Sequence, residues 1–94
     1  MLFLIYCIDR PGSAEARAAA MQPHIDYLAT GPIKIVMSGP LTSDDGGTVI
    51  GSLYLVEAAN RAEVEKFQNN DPLVAADIWE TIEVRAFNKR IDNR

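Results

Sequence analysis

Apolar residues open the chain in an almost unbroken run, "LFLIYCI" at positions 2–8, rich in β-favouring types and closed by the turn signal Pro11-Gly12. This predicts a first strand. Apolar positions then recur every three or four residues at Ala14, Ala18, Met21, Ile25 and Leu28, the period of a helix with one inward face, ending near Thr30-Gly31. Ser13 stands where a cap is needed, and Glu15 in the first turn suits the helix dipole. "PIKIVMSGPL", from 32 to 41, reads as a second strand broken at Gly39-Pro40. The turn formers "TSDDGG" connect it to a third, "TVIGSLYLVEA", from 48 to 58, so the two should pair as a hairpin. Asn60 and Glu63 have capping-box spacing before a short helix that turns Val64 and Phe67 inward. "NNDP" ends that helix, "PLVAADIW" makes a brief helical turn, and "ETIEVRAF", from 80 to 87, is the fourth strand, with Ile82, Val84 and Ala86 alternating with Glu83, Arg85 and Phe87.

The order βαββαβ is that of a ferredoxin-like α+β domain: a four-stranded antiparallel sheet, strands one and three central, both helices on one face. The expected central strands are apolar in both side-chain directions, whereas the edge strands carry Lys34, Glu83 and Arg85. An antiparallel sheet with one face in water should alternate apolar and polar. Helices cover one face, and no further element remains for the other, so a second copy packed sheet to sheet, a homodimer, is the expected lid. The alternative is a monomer with an exposed apolar patch.

Composition narrows the function classes. The 94 residues, 48% apolar and 23% charged, fit one domain spanning 1–94, with no repeat or low-complexity tract. A net charge of -4 argues against a nucleic-acid partner, which would need a clustered basic face. Lys89, Arg90 and Arg94 are interrupted by Asp92 and read as a solvated tail. The opening apolar run is too short to span a membrane and leads into Asp9 and Arg10. One cysteine, Cys7, permits no internal disulfide, fits a reducing cytoplasm, and lies in a strand as a packing thiol.

Candidate chemistry starts at the only histidine, His24, a residue that titrates near neutrality and stands directly after Pro23 inside a predicted helix. Its helical angle puts it at the margin of the apolar stripe, turned toward Tyr27, where a partly buried, hydrogen-bonded structural histidine is the plainer alternative. Pro23 deprives the Ala19 carbonyl of its helical donor, so it bends the axis or starts a new segment, either to aim His24 or only to let a long helix follow a twisted sheet. Asp71, followed by Pro72, has the pattern of an N-cap, yet a carboxylate can cap with one oxygen and accept from an imidazole N–H with the other. Ser38, Gly39 and Pro40 end the second strand, where Gly39 lets a ligand approach the backbone and Ser38 serves as a binding hydroxyl; an ordinary strand exit is the alternative. Asp44-Asp45 before two glycines reads as a hairpin and not a calcium loop. No phosphate loop, dinucleotide fingerprint or zinc pattern is present, so no cofactor and no metal are expected.

"MLFLIYCIDRPGS", "PHIDYL", "SGPL" and "DPLVAADIWETIEVRAFNK" together resemble the YciI-like proteins, or YCII-related domain, of the dimeric α+β barrel superfamily, in order over nearly the whole chain. The resemblance implies a ferredoxin-like subunit paired sheet to sheet, and a pocket centred on a histidine and an aspartate that map onto His24 and Asp71, with the "SGP" segment nearby. That family includes a dehydrochlorinase acting on a chlorinated hydroxyhydroquinone, and the superfamily holds muconolactone isomerases and cofactor-free monooxygenases. The expected function is a cofactor-independent lyase, dehydrochlorinase or isomerase acting on a small cyclic or aromatic catabolite. The alternative is a non-catalytic metabolite-binding or accessory dimeric module. "TSDDGG" is short beside the hairpins of some relatives, so neither the rim of the pocket nor the substrate carries over.

Overall fold

The computed structural model describes residues 1–94 as β1 (Leu2–Asp9), α1 (Ala14–Ala29), β2 (Lys34–Thr42), β3 (Val49–Glu57), α2 (Arg61–Asn69), α3 (Pro72–Ala75) and β4 (Trp79–Phe87). The sheet order is β2-β3-β1-β4 and every pair is antiparallel, so the two most apolar strands lie in the middle, as their composition requires. This is an α+β fold with a four-stranded antiparallel sheet, ferredoxin-like in its element order.

Strand alternation decides which side chains meet the helices. Phe3, Ile5 and Cys7 of β1, with Tyr54 and Val56 of β3 and Val84 of β4, are buried. They pack with Val64, Phe67, Leu73, Ile78 and Trp79 in one apolar cluster. Burying each large member contributes about 1.5–3 kcal/mol, which is why this face organises the fold. Of Ile82, Val84 and Ala86, which alternate with the charged positions of β4, only Val84 is buried. Ile82 is 41% exposed and Ala86 is exposed, because β4 is an edge strand that the helices do not fully overlie.

The opposite face carries Leu4, Tyr6, Leu53, Leu55 and Phe87, the alternate residues of the same strands. Tyr6 and Phe87 are 38% and 43% exposed, and no helix covers them.

Local caps follow the chain chemistry, with one departure. Asn60 Oδ1 accepts the Glu63 amide at 3.0 Å and Glu63 Oε2 accepts the Ala59 amide at 3.0 Å, a capping box reaching one residue further back than expected. Ser13 occupies the N-cap of α1 but its side chain makes no cap hydrogen bond. Strand β2 contains a bulge at Val36, since Ile35 pairs with Val56 and Met37 with Leu55. The bulge resets the alternation, so Ser38 and Pro40, opposite Tyr54 and Ser52, share the helix face with them. The 43–48 hairpin is closed by Asp45 Oδ1, which accepts from the Ser43 hydroxyl at 2.6 Å and the Gly47 amide at 2.9 Å, with Gly46 at φ 76.

Candidate functional site

Helix α1 runs without interruption from Ala14 to Ala29, through Pro23, so the proline does not start a new segment. Its inward stripe is rotated from the one expected. Ala14 and Ala18 are exposed and Ile25 is 49% exposed, while Arg17, Met21, His24 and Leu28 turn to the sheet at spacings of four, three and four. His24 is therefore not marginal: it is 6% exposed. A polar ring so placed needs partners, because an unsatisfied buried polar group costs about 1–3 kcal/mol.

The partner is Asp71, 2% exposed, whose Oδ1 lies 2.7 Å from His24 Nδ1. As the N-cap of α3, Asp71 is itself fixed in place. Its Oδ1 accepts the Leu73 amide at 2.9 Å, and its backbone carbonyl accepts from Val74 and Ala75 at 3.0 and 3.1 Å. One carboxylate oxygen thus serves both the cap and the imidazole, where one oxygen for each was expected. A carboxylate only accepts, so in the neutral ring Nδ1 carries the proton and Nε2 keeps its lone pair. That Nε2 stands 3.4 Å from the Tyr54 hydroxyl.

His24 lines a cavity of about 270 Å³ together with Arg17, Met21, Ser38, Gly39, Pro40, Val49, Ser52 and Tyr54. The volume lies just under the usual range of about 300–1,000 Å³ for drug-sized ligands, which suits a one-ring molecule. All three residues of the "SGP" segment line it with His24, and Asp71 stands behind the ring. A side chain at Gly39 would meet nothing within 4 Å, so packing within the chain does not require glycine there.

The cavity's other polar side chains include residues that the sequence did not single out. Arg17 Nη1 donates to Asp9 Oδ1 at 2.7 Å, and its Nη2 donates to Ser52 Oγ at 2.8 Å. Burial, reinforced by the Asp71 carboxylate, holds the Tyr54 phenol far above its ordinary range, with Arg17 opposing weakly, so Tyr54 remains a donor at neutral pH. Burial likewise pushes the Cys7 thiol up to about 12, and its side chain is wholly inaccessible. The signals for the missed residues were the Arg17–Met21–His24 spacing and the alternation of Ser52 with Tyr54 opposite Pro40 and Ser38. No three His, Cys, Asp or Glu side chains approach closely enough to hold a metal ion.

A ferredoxin-like sheet and helix layer, with a buried imidazole–carboxylate pair facing a small cavity at the end of β2, defines the class. The chain belongs to the YCII-related domain family, whose model matches residues 1–88. It is 29% identical to protein YciI of Escherichia coli over 101 aligned positions, covering 95% of this chain and 98% of that one. Among solved structures it is similar to the 5-chloro-2-hydroxyhydroquinone dehydrochlorinase TftG of Burkholderia phenoliruptrix AC1100, in complex with 2,5-dihydroxybenzoquinone. The TM-score is 0.83 at 36% identity, covering 94% of each chain. Rv0793 of Mycobacterium tuberculosis, at 11% identity and a TM-score of 0.53, shares the fold alone. No helix is long and apolar enough to cross a membrane.

Proposed function

We propose that this chain is a cofactor-independent small-molecule enzyme of the lyase or isomerase type, acting on a small ring compound, with His24 as general base and acid. The observation that carries the proposal is the 2.7 Å contact between His24 Nδ1 and the buried Asp71 carboxylate, which leaves Nε2, beside the Tyr54 hydroxyl, as the ring's proton acceptor in a residue that lines the cavity. Asp71 orients the ring and stabilises the imidazolium formed when Nε2 takes a proton. Ser38 and the Gly39 backbone bind a substrate oxygen, and Pro40 shapes the rim. Similarity to TftG supports dehydrochlorination as the first reaction to try.

Such a reaction needs only proton transfers. On a chlorinated hydroxyhydroquinone, His24 takes a hydroxyl proton and returns it to the chlorine-bearing carbon, giving a keto tautomer. Loss of a second hydroxyl proton together with chloride then leaves a quinone. Net HCl departs, the ring is oxidised as its carbon–chlorine bond becomes carbon–hydrogen, and no external electron acceptor is required. A ring isomerisation would use the same two proton transfers without the departing halide. The working unit is a homodimer of one-domain subunits packed through their uncovered sheet faces, and a reducing compartment such as the cytoplasm suits the unpaired Cys7.

The test is incubation with 5-chloro-2-hydroxyhydroquinone and related one-ring hydroxylated compounds, following chloride release and product mass. Turnover is expected in the wild type and a loss of at least about 10²-fold in His24→Ala, with unchanged circular dichroism. An active His24→Ala variant overturns the catalytic assignment. Saturable binding with every compound recovered unchanged marks a metabolite-binding module instead.

A further inference from the structure

A second cavity, of about 660 Å³, adjoins the one at His24 and shares three of its lining residues, Arg17, Met21 and Val49. The guanidinium of Arg17 therefore stands where the two meet. Its side chain is only 12% exposed, and Asp9, at 10%, is its ion-pair partner. An arginine so enclosed is not a solvated surface charge. It is held in place on one side by Asp9 Oδ1 at 2.7 Å and on the other by Ser52 Oγ at 2.8 Å. Those two bonds engage two of its five N–H groups, so it retains donors for an occupant of either cavity.

We infer that Arg17 is the specificity residue of this site, and that the substrate is a ring bearing an oxyanion, a phenolate, enolate or carboxylate, whose charged oxygen it binds while His24 works on the ring. The inference rests on the proposal that the cavity at His24 is the substrate site. Three features support it. The planar guanidinium offers paired donors that match an oxyanion, and enclosure strengthens such a charge-assisted bond. Ser52, which holds Arg17, and Tyr54, beside His24 Nε2, are alternate residues on one face of β3, about 7 Å apart along the strand, so a one-ring molecule reaches both groups. The start of α1 adds to the field. Gly12, Ser13 and Ala14 line the second cavity, and the Ser13 side chain leaves the first-turn amides uncapped. Asp9 sets the strength of the site, because its charge offsets part of the guanidinium's.

The test is NMR titration of the full chain with benzoate and with benzamide, a neutral molecule of nearly the same shape. The wild type is expected to bind benzoate at least tenfold more tightly, with the preference weakened by added salt. Arg17→Gln should abolish the preference and Arg17→Lys should restore part of it. Asp9→Asn, which removes the competing charge and leaves the arginine, should tighten benzoate several-fold and benzamide not at all. Where Arg17→Gln fails to fold, the Arg17→Lys and Asp9→Asn arms decide. Equal binding of the two probes by the wild type, a preference that survives Arg17→Gln, or an Asp9→Asn variant indifferent to charge overturns the inference. His24→Gln separates it from the proposed chemistry. If that variant still turns over substrate while Arg17→Gln loses the anion preference, the role of His24 falls and that of Arg17 stands.

Discussion

Asp71 and His24 lie 47 positions apart in the chain, and the contact between them asks one carboxylate to do two jobs. Asp71→Ala removes the cap of α3, about 1 kcal/mol, and leaves a buried imidazole without its partner, about 1–3 kcal/mol. A loss of roughly 2–4 kcal/mol is therefore expected in urea denaturation. Asp71→Asn keeps the shape and an accepting oxygen, so it should fold with a smaller loss while turnover drops by about 10²–10⁴, since an amide does not stabilise the imidazolium. Nitrogen-15 shifts of the ring are the direct check: a single Nδ1–H tautomer in the wild type and a mixture in Asp71→Asn. A second residue-scale effect concerns alkaline pH. The Cys7 thiol ionises near 9.0 in the unfolded chain but at about 12 in the fold, and the Tyr54 phenol is also raised by burial. Above pH 9 the unfolded chain loses protons that the native state keeps, so stability is full below that pH and falls as pH rises toward 12. Each group ionised only on unfolding steepens the decline by about 1.4 kcal/mol per pH unit. Cys7→Ala should flatten the onset of that limb relative to the wild type, and an unchanged slope would show that Cys7 contributes nothing to it. His24 and Asp71 were legible as sole histidine and Asp-Pro cap. Arg17 was not, because nothing in a lone arginine distinguishes a solvated guanidinium from one enclosed by Asp9 and Ser52.

Elements were read correctly in kind and order, and the errors were of phase and edge. In α1 the residues from 14 to 20 include Ala14, Ala16, Ala18, Ala19 and Ala20, small side chains that face protein or water with little difference in free energy. An apolar period drawn through them cannot fix the rotation of the helix, which is set instead by Arg17 meeting Asp9 and Ser52 and by His24 meeting Asp71. Since the helix continues past Pro23 despite the missing donor there, the spacing from Arg17 to His24, close to two full turns, is enough to aim the imidazole at the sheet. The Val36 bulge was illegible for a related reason: either alternation of "IKIVMSG" leaves apolar side chains on both faces. Gly51 carries an element-scale prediction. A Cβ built there would lie 2.0 Å from the Cys7 carbonyl oxygen, at the last pair of the β1–β3 register, where Gly51 faces Ile8 and the two backbones cannot part without loss of ladder bonds. Gly51→Ala should destabilise by about 2 kcal/mol or more, while Gly39→Ala, whose Cβ meets nothing, should leave the stability of the fold within about 0.5 kcal/mol. Thermal melts of the two variants side by side test this, and equal melting temperatures would refute it.

At the scale of the molecule, the sheet has one face under its helices and one without cover, and the second explains why the central strands are apolar in both directions. Leu4 and Tyr6 stand opposite Leu55 and Leu53 on that face, an apolar group of the kind that marks an interface, with Phe87 at its edge and Glu83 and Arg85 flanking it on β4. The proposed homodimer places two such faces about 10 Å apart with their side chains interleaved. Because β1 and β3 are central, the seam would run beneath the strands that hold Ser52 and Tyr54, so dimerisation and the geometry of the cavity are linked through the same backbone. Leu4→Arg places a charge in the middle of that seam without touching the helix-side core. Sedimentation should give the wild type twice the 10.3 kDa chain mass at micromolar concentration and Leu4→Arg the single-chain mass, with a lower melting temperature and weakened turnover. If the wild type sediments as one chain, the uncovered face needs another occupant. If Leu4→Arg is monomeric yet fully active, the site is complete within one subunit and the seam serves stability alone.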